Sequence, residues 1–335
     1  MVIGDKKTPT NVGKYCQDLE QKYGYKIIYM NVNAQIEYLK QFPQLGEHLP
    51  WNSVQRRNIG LIIAYQEQAD VIVTIDDDNL ITNQDFLGKK AHGIVKQIIT
   101  VPTYESSTGW LNVCEFLQEE HDIKFHHRGY PIDEKTKDRE ALITREEVTK
   151  EIVVNEGFWL DDPDIDAITR MVNLLRVVGM KNPAEPNIAL APGTWSPFNS
   201  QNTALARKLI PAYFLSPYIG RYDDIWASYL LRKIMDHFDH LGTYGQPLVR
   251  QVRNPHNLFV DLDKERIGME LSGLFCQHLR EVDLTSKSYF DCYRELYVAI
   301  KDFSKKNENM IISRKGFLEK FIEGMEIWID IFETI

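Results

Sequence analysis

The first 80 residues alternate between strand-like and helix-like patterns of hydrophobic positions. Residues 26–30 (KIIYM) and 71–75 (VIVTI) are short β-rich runs, and residues 2–3 have the pattern of a strand end before a polar loop. Between the two runs, residues 54–68 carry isoleucines at helical spacing. Strands that alternate with helices indicate crossover connections. The pattern therefore predicts an α/β fold with a mixed, mainly parallel sheet flanked by helices.

The rest of the chain changes from strands and loops to helices. Residues 95–215 combine short β runs with aromatic-rich loops, and residues 223–238 have the pattern of an amphipathic helix that begins with two acids. The end of the chain also carries apolar residues at helical spacing. A chain of 335 residues is long enough for one large domain and a smaller unit. We predict a catalytic domain over residues 1–270 and a helical extension over residues 271–335.

The composition is that of a globular protein without a general affinity for nucleic acid. Hydrophobic residues make up 43% of the chain, and its formal net charge of −9 lacks the basic surplus of a nucleic-acid binder. No apolar run approaches the roughly 18 residues that span a bilayer, and the polar start shows no signal peptide. The four cysteines form no C-x-x-C pair. We therefore expect a cytoplasmic protein with reduced thiols and no membrane span.

Three carboxylates, Asp76, Asp77 and Asp78, follow the apolar run at residues 71–75. Adjacent like charges repel, and hard divalent cations prefer carboxylate oxygens. If the strand continues, Asp76 and Asp78 point to the same side, because side chains alternate along a strand. The pattern favours a site for Mn²⁺ or Mg²⁺ over the alternative, a solvated acidic turn.

Two further segments are predicted to lie near these acids. Gly4-Asp5-Lys6 also follows a strand, and the carboxyl ends of parallel strands meet at one edge of a sheet. Arg56-Arg57-Asn58 begins the helix that precedes the acids. Arginines at a helix N-terminus suit a diphosphate, although an ordinary solvated face is the alternative.

Three other groups of residues leave a functional and a structural interpretation open. Asp223 and Asp224 could supply a general base, or could complement the dipole of the helix that they begin. His256 could complete a metal shell, although a single histidine is more often structural. The acid run at residues 161–166 is more typical of turns and caps. Motifs of P-loop NTPases, nicotinamide dehydrogenases, zincins and α/β-hydrolases are absent from the sequence.

Several segments, taken in order, resemble a known group of proteins. They look like the plant STELLO-type proteins and are similar to the reversibly glycosylated polypeptides, which include UDP-arabinopyranose mutases. The resemblance covers roughly residues 3–265 and rests on the segments LPWNSVQRRNIG (49–60), ADVIVTIDDDN (69–79), RGYP (128–131), GFWLDDPDIDAITR (157–170), PGTWSPFNSQNT (192–203) and GRYDDIWASY (220–229).

The resemblance implies a nucleotide-sugar enzyme with a GT-A-type fold and an Asp-x-Asp site for Mn²⁺ or Mg²⁺. It implies that Asp76 and Asp78 bind the metal, with His256 as a third protein ligand. Asp224, with Asp223 beside it, is the implied catalytic base. The residues that it places around the nucleotide sugar are Gly4, Asp5, Lys6, Arg57, Asn58, Asp76, Arg128, Trp195, Asn199 and Asn202.

Three segments differ from the mutase-like members of this group. Those proteins continue RGYP with a run that contains a second arginine, whereas this chain has residues 132–135 (IDEK). They carry Cys where this chain has Asn79, and a Cys-Gly-Met-Asn run where it has residues 198–202. These differences favour the STELLO-like side of the resemblance and argue against mutase activity and arginine self-glycosylation.

We therefore predict a metal-dependent glycosyltransferase, a hexosyl- or pentosyltransferase, that moves a sugar from a nucleotide-sugar donor, most simply a UDP-sugar, to a hydroxyl acceptor. The alternatives are a nucleotide-sugar mutase of the UDP-arabinopyranose mutase type and a non-catalytic nucleotide-sugar-binding partner in glycan synthesis. The sugar, the nucleobase, the acceptor, the stereochemical outcome and formation of a homo-oligomer stay open.

Overall fold

The computed structural model describes residues 1–307 and 316–335. In these residues a nine-stranded mixed sheet forms the centre, a two-stranded sheet holds the N-terminus, and helices pack around both. The predicted fold class, a mixed α/β sheet flanked by helices with helices at the C-terminal end, is confirmed. None of the described helices combines the length and the apolar character needed to cross a membrane.

The strands are β1 (Val2–Ile3), β2 (Tyr29–Met30), β3 (Val71–Ile75), β4 (Asn79–Ile81), β5 (Ile98–Ser106), β6 (Leu117–Glu119), β7 (Ile143–Asp161), β8 (Val177–Met180), β9 (Asn187–Leu190), β10 (Asn202–Ala206) and β11 (Leu241–Gln251). The α-helices are α1 (Val12–Tyr23), α2 (Val32–Leu39), α3 (Pro43–His48), α4 (Arg57–Gln66), α5 (Ile132–Lys135), α6 (Ala167–Val172), α7 (Asp223–His237), α8 (Leu258–Glu281), α9 (Tyr289–Asn307) and α10 (Phe317–Thr334).

The large sheet has the order β3-β10-β7-β5-β9-β11-β4, with β6 and β8 attached beside β7. The 19-residue strand β7 pairs antiparallel with β5 and β10 and parallel with β11. Antiparallel pairs outnumber parallel pairs in this sheet, so the share of parallel pairing is smaller than the pattern of the first 80 residues indicates. The strands after residue 95 are joined mostly by loops, which allow neighbouring strands to reverse direction.

The C-terminal helices share the hydrophobic core of the sheet. Trp226 on α7 stacks on Phe275 of α8, with ring centres 4.0 Å apart, and meets Phe321 of α10 edge-on at 5.2 Å. One cluster of buried apolar residues extends from Met30 to Phe332. The predicted domain boundary at residue 270 falls within α8, so a single helix continues across it.

Three chain segments converge where β3 ends. The backbone N–H of Asp76 donates to the carbonyl oxygen of Gln201 at 2.9 Å, because β10 runs antiparallel to β3 and begins at this point. The first turn of α7, with Asp223 and Asp224, lies beside the same loop. This end of the sheet carries the candidate site.

Candidate functional site

Arg57 connects the start of α4 to the end of β3. Its Nη2 donates to Oδ1 of Asp76, and its Nη1 donates to the carbonyl oxygen of Ser200 at 2.7 Å. Burial opposes the charge of Arg57, but Asp76 and, more weakly, Asp224 outweigh it and raise the arginine pKa. The guanidinium therefore stays charged beside the acids, where an anionic group of a ligand could replace one of its partners.

Arg128 forms a buried bridge between two carboxylates. Its Nε and Nη2 donate to the two oxygens of Asp164 at 2.8 and 2.9 Å, and both Nη atoms lie 3.3 Å from Oδ1 of Asp224. Burial opposes ionisation of Asp164, but the Arg128 charge outweighs it and holds the pKa of that carboxyl well below its usual range. The bidentate pair fixes the RGYP segment against the acid run at residues 161–166.

Ser200 joins the two arginine pairs. Its backbone N–H and its Oγ donate to Oδ2 of Asp224 at 3.0 and 3.2 Å, while its carbonyl oxygen accepts from Arg57. Asp76, Arg57, Asp224 and Arg128 therefore belong to one continuous hydrogen-bonded chain. We call these residues, with Ser200, the charged cluster.

Asp223 is a buried carboxyl group in the first turn of α7, next to Asp224. Burial, and then the charge of Asp224, raise its pKa to about 7. Its Oδ2 accepts a hydrogen bond from Nε2 of Gln55 at 2.8 Å. A carboxyl group with a pKa near neutrality can both give and take a proton, as general acid–base catalysis requires.

The buried hydroxyl of Tyr213, whose pKa is raised by burial and by Asp224, has no hydrogen-bond partner among the described residues.

A buried histidine–glutamate pair supports the charged cluster, and sequence reasoning missed it. His127 and Glu156 are fully buried, with Nε2 of the histidine 2.8 Å from Oε1 of the glutamate. Nδ1 of His127 lies 2.7 Å from the carbonyl oxygen of Arg128 and must donate to it, so a second proton lies between ring and carboxyl. Burial opposes the charge of His127, but Glu156 outweighs burial and raises the histidine pKa. Asn199 links the pair to the cluster through Asp164, since its Nδ2 donates at 2.9 Å to this carboxylate, which is the partner of Arg128.

Asp76 and Asp78 offer two carboxylates to a cation at the end of β3. Burial, and then the charge of Asp76, raise the pKa of Asp78, and a bound cation would relieve this repulsion. Within residues 1–307 and 316–335 no three His, Cys, Asp or Glu side chains are arranged to hold a metal. Mg²⁺ commonly takes one or two carboxylates and completes its shell with substrate phosphates and waters. The residues therefore fit a divalent cation that arrives together with a diphosphate.

His256 has a different partner in the structure. Its Nδ1 lies 3.0 Å from Oδ2 of Asp261, in the first turn of α8. The predicted role of His256 as a third metal ligand stays a prediction, because its observed contact is with this acid rather than with Asp76 or Asp78.

The N-terminal loop reaches the site through the segment before α4. Oδ2 of Asp5 accepts from the backbone N–H of Ser53 at 3.2 Å. Two cations lie over the ring of Trp51. The guanidinium carbon of Arg56 is 3.5 Å from the centre of this ring, and Nζ of Lys6 is 5.0 Å from it. The prediction that residues 4–6 and residues 76–78 lie at one edge of the same sheet is wrong. Among the described strands, the strand before Asp5 (β1) pairs only with β2, whereas β3 belongs to the large sheet.

Four other predicted residues use their polar groups for internal contacts. Asn58, Trp195 and Asn202 are almost completely buried. Their side chains donate, respectively, to the carbonyl oxygen of Leu215 at 2.8 Å, to Asp236 at 2.6 Å and to the carbonyl oxygen of Gly157 at 2.9 Å. The carbonyl oxygen of Gly4 accepts from Nε2 of Gln35 at 2.6 Å. The structure thus gives these residues a positioning role and does not bring them into the charged cluster.

Comparison with known proteins gives the family of this chain. The sequence model of the reversibly glycosylated polypeptide family matches residues 30–335, so the chain belongs to that family. It is 28% identical over 274 residues to UDP-arabinopyranose mutase 3 of Arabidopsis thaliana. The aligned region covers 79% of this chain and 68% of that protein. It is 26% identical over 277 residues to UDP-arabinopyranose mutase 1 of Oryza sativa subsp. japonica, with the same coverage of 79% and 68%.

These relatives confirm the resemblance and correct the predicted activity. The prediction of a metal-dependent glycosyltransferase is wrong, because the relatives are named as mutases, which are isomerases. The stated alternative, a nucleotide-sugar mutase, is the better supported one. The prediction rested on three differences from the mutases, at residues 132–135, at Asn79 and at residues 198–202, and these differences do not exclude a mutase. Residues 132–135 form α5, a single helical turn without buried side chains. The buried charged cluster, and not this turn, is the distinctive part of the site.

Proposed function

We propose that this chain is a nucleotide-sugar mutase of the UDP-arabinopyranose mutase type, an isomerase that changes the ring size of the sugar in a UDP-sugar. The observation that carries the proposal is the family match over residues 30–335, together with relatives named UDP-arabinopyranose mutase that align with 79% of the chain. The charged cluster and the adjacent Asp223 support it, because together they combine arginines for an anionic substrate with a carboxyl group for proton transfer.

The chemistry of a ring-size change defines what the site must do. The bond between the anomeric carbon and the diphosphate breaks, and a different hydroxyl of the sugar attacks the anomeric carbon. The diphosphate then bonds to this carbon again as the original ring oxygen leaves it. The oxygen that leaves the ring gains a proton, and the oxygen that enters the ring loses one, so the reaction needs no net proton. A single carboxyl group with a pKa near 7 can serve both transfers.

Asp223 is the residue proposed for this proton transfer. Burial and Asp224 raise its pKa to about 7, so both protonation states are populated at neutral pH. Asp224 itself is held by Arg128 and Ser200, which fits a role in positioning the cluster. Arg57 is proposed to hold the detached diphosphate while the sugar rearranges. If the nucleotide left the site at that point, water could bond to the anomeric carbon in its place, and the substrate would be hydrolysed.

We also propose that Asp76 and Asp78 hold Mn²⁺ or Mg²⁺ when the nucleotide sugar binds. A divalent cation there would neutralise charge on the diphosphate and make it a better leaving group. The support for this proposal is the pair of carboxylates at the end of β3, and the raised pKa of Asp78, which is caused first by burial and then by the charge of Asp76.

The proposal is tested by incubating the chain with UDP-arabinopyranose and Mn²⁺ and separating the products by chromatography. We expect a UDP-arabinofuranose peak that is absent without protein. Asp223→Asn should lower the initial rate at least about 100-fold with little change in nucleotide-sugar affinity, as expected for loss of a general acid–base group. Asp18→Asn, an exposed carboxyl on α1, is the matched control and should retain full activity.

Two results would contradict the proposal. Tight binding of UDP-arabinopyranose without any furanose product would indicate a non-catalytic nucleotide-sugar-binding protein. Equal rates for Asp223→Asn and the wild-type chain would leave the mutase activity in place but remove Asp223 from the proton transfer.

A further inference from the structure

A cavity of about 560 Å³ lies at the end of the sheet opposite the charged cluster. Its walls include Asp70, which immediately precedes β3, and Arg207, which immediately follows β10. Asp76 of the charged cluster lies at the other end of β3. The five residues of this strand span about 17 Å, so the cavity is separate from the site described above.

The charges that line this cavity are mainly positive. The cations are Lys96, Arg207, Lys208 and Lys287, and the carboxylates are Asp70 and Glu151. Four cations against two carboxylates leave an excess of two positive charges, in a chain whose net charge is −9. A local excess of this sign attracts anions even where the whole molecule is acidic.

Two of these cations are held by weak partners. Lys208 pairs with Glu151 at 2.8 Å, but both side chains are more than a quarter exposed, and exposed ion pairs of this kind contribute little stability. Arg207 donates from Nε and Nη2 to the carbonyl oxygen of Tyr65 at 3.2 and 3.1 Å. The acceptor of both hydrogen bonds is therefore a neutral carbonyl group and not a carboxylate. An incoming anion could therefore take both cations without breaking a buried ion pair.

Aromatic rings form another part of the wall. Tyr289 stacks on His240 with ring centres 5.9 Å apart at an angle of 3°, and on Phe238 with centres 5.0 Å apart at 28°. Tyr289 and His240 are also joined by a hydrogen bond of 2.8 Å, which holds the two rings in one orientation. The Tyr65 ring carries the Arg207 guanidinium at 4.1 Å on another side of the cavity. Cations and fixed aromatic faces are together suited to a ligand that has both a phosphate group and a planar ring.

We propose that this cavity is a second ligand site, which binds a phosphorylated small molecule with a planar ring, such as a nucleotide. Its volume lies within the range of about 300–1,000 Å³ that is usual for small-molecule sites. The cations take the phosphate, and the partly exposed rings of Phe238 and His240, held in place by the buried Tyr289, form the surface for the ring. The assignment does not depend on the proposed mutase activity, because none of these residues belongs to the charged cluster.

The experiment measures binding of three probes to the whole chain by calorimetry, in a buffer without divalent cations. ADP carries both the ring and the phosphates, adenosine carries only the ring, and inorganic pyrophosphate carries only the charge. We expect one ADP per chain, with adenosine and pyrophosphate each binding at least about tenfold more weakly, because each lacks one of the two interactions. The affinity for ADP should fall as salt is raised.

Variants then locate the binding. Lys287 is exposed, so Lys287→Glu should fold normally and should weaken ADP binding at least about tenfold. Lys208→Ala provides a second test that removes a charge without adding one. Lys14→Glu makes the same charge change on the exposed face of α1, outside the lining of the cavity, and should leave the affinity within about twofold.

Several outcomes would overturn the proposal. Absence of saturable ADP binding would do so, as would ADP affinity that is unchanged in both Lys287→Glu and Lys208→Ala. Pyrophosphate that binds as tightly as ADP would remove the role of the aromatic wall. ADP binding that is lost in Arg57→Gln and kept in the two lysine variants would place the nucleotide at the charged cluster instead.

Discussion

Arg128 lies between two carboxylates that reach it from different parts of the chain. It makes hydrogen bonds of 2.8 and 2.9 Å with Asp164, which follows β7, and lies 3.3 Å from Asp224, in the first turn of α7. All three side chains are less than a tenth exposed. Removing one member of a buried ion pair leaves the other charge without compensation, which is far more costly than loss of a surface pair.

We therefore predict that Arg128→Gln lowers the free energy of unfolding by about 3–5 kcal/mol. Urea denaturation at pH 7 measures the change. The double variant Arg128→Gln with Asp164→Asn should be less destabilised than the sum of the two single variants, because it removes an opposite pair together. Additive effects, or a loss below about 1 kcal/mol for Arg128→Gln, would show that the ion pair does not hold these segments together.

Gly129, next to Arg128, is predicted to accept no side chain. Its φ is +91°, and an added Cβ would lie 2.3 Å from Cγ2 of Ile225 on α7. Gly129→Ala should cost about 3 kcal/mol or more and should weaken nucleotide-sugar binding, since relief of the clash moves α7 away from Arg128. Gly24→Ala is the matched control, because Gly24 also has positive φ (+73°) but open space around its Cα. That variant should cost about 1–2 kcal/mol. Equal costs for both variants would contradict the clash.

The sequence predicted the parts of the fold that local pattern determines. The strand at residues 71–75 and the helix that begins at Asp223 match β3 and α7 closely. The share of parallel pairing was overestimated, because β10 returns between β3 and β7 from more than 120 residues further along the chain. Such a long-range pairing leaves no periodic signal near either strand.

The site was predictable where acids or arginines stand in unusual positions. Asp76 and Arg57 were chosen for that reason and Asp224 through the family resemblance, and all three meet in the charged cluster. His127 and Glu156 were missed, since 29 residues separate them and a buried pair has no local spacing rule. One signal was present: Asn155 and Glu156 interrupt an otherwise apolar run within β7, and a charge inside a buried strand requires a partner.

The raised pKa of Asp223 predicts a specific dependence of stability on pH. Its folded pKa of about 7 lies above the usual 3.8, so the folded state binds the proton more tightly than the unfolded chain does between these values. The contribution of this group to stability is therefore present in acid and is lost as pH rises through 7. Asp223→Asn imitates the protonated form, and should be more stable than the wild type at pH 8 by on the order of 2 kcal/mol.

Urea denaturation from pH 4 to pH 8 checks this prediction. The stability difference between Asp223→Asn and the wild type should be small near pH 4 and should grow through pH 7. A difference that does not change with pH would mean that the aspartate is ionised throughout the range. The same variant should be a poor catalyst, so that stability and activity change in opposite directions.

Binding of Mn²⁺ is predicted to depend on Asp78 and not on its neighbour Asp77. Mn²⁺ added with UDP should raise the melting temperature of the wild-type chain, because a ligand that binds only the folded state adds about 2.7 kcal/mol at a hundred times its Kd. Asp78→Asn should abolish the part of this rise that EDTA removes. The variant should not lower the melting temperature of the protein without ligand, because burial and the charge of Asp76 already raise the pKa of Asp78 and so disfavour its ionised form. Asp77 is exposed, so Asp77→Asn is the matched control and should keep the full rise. A rise that EDTA does not affect, or that both variants lose equally, would exclude the proposed metal site at the end of β3.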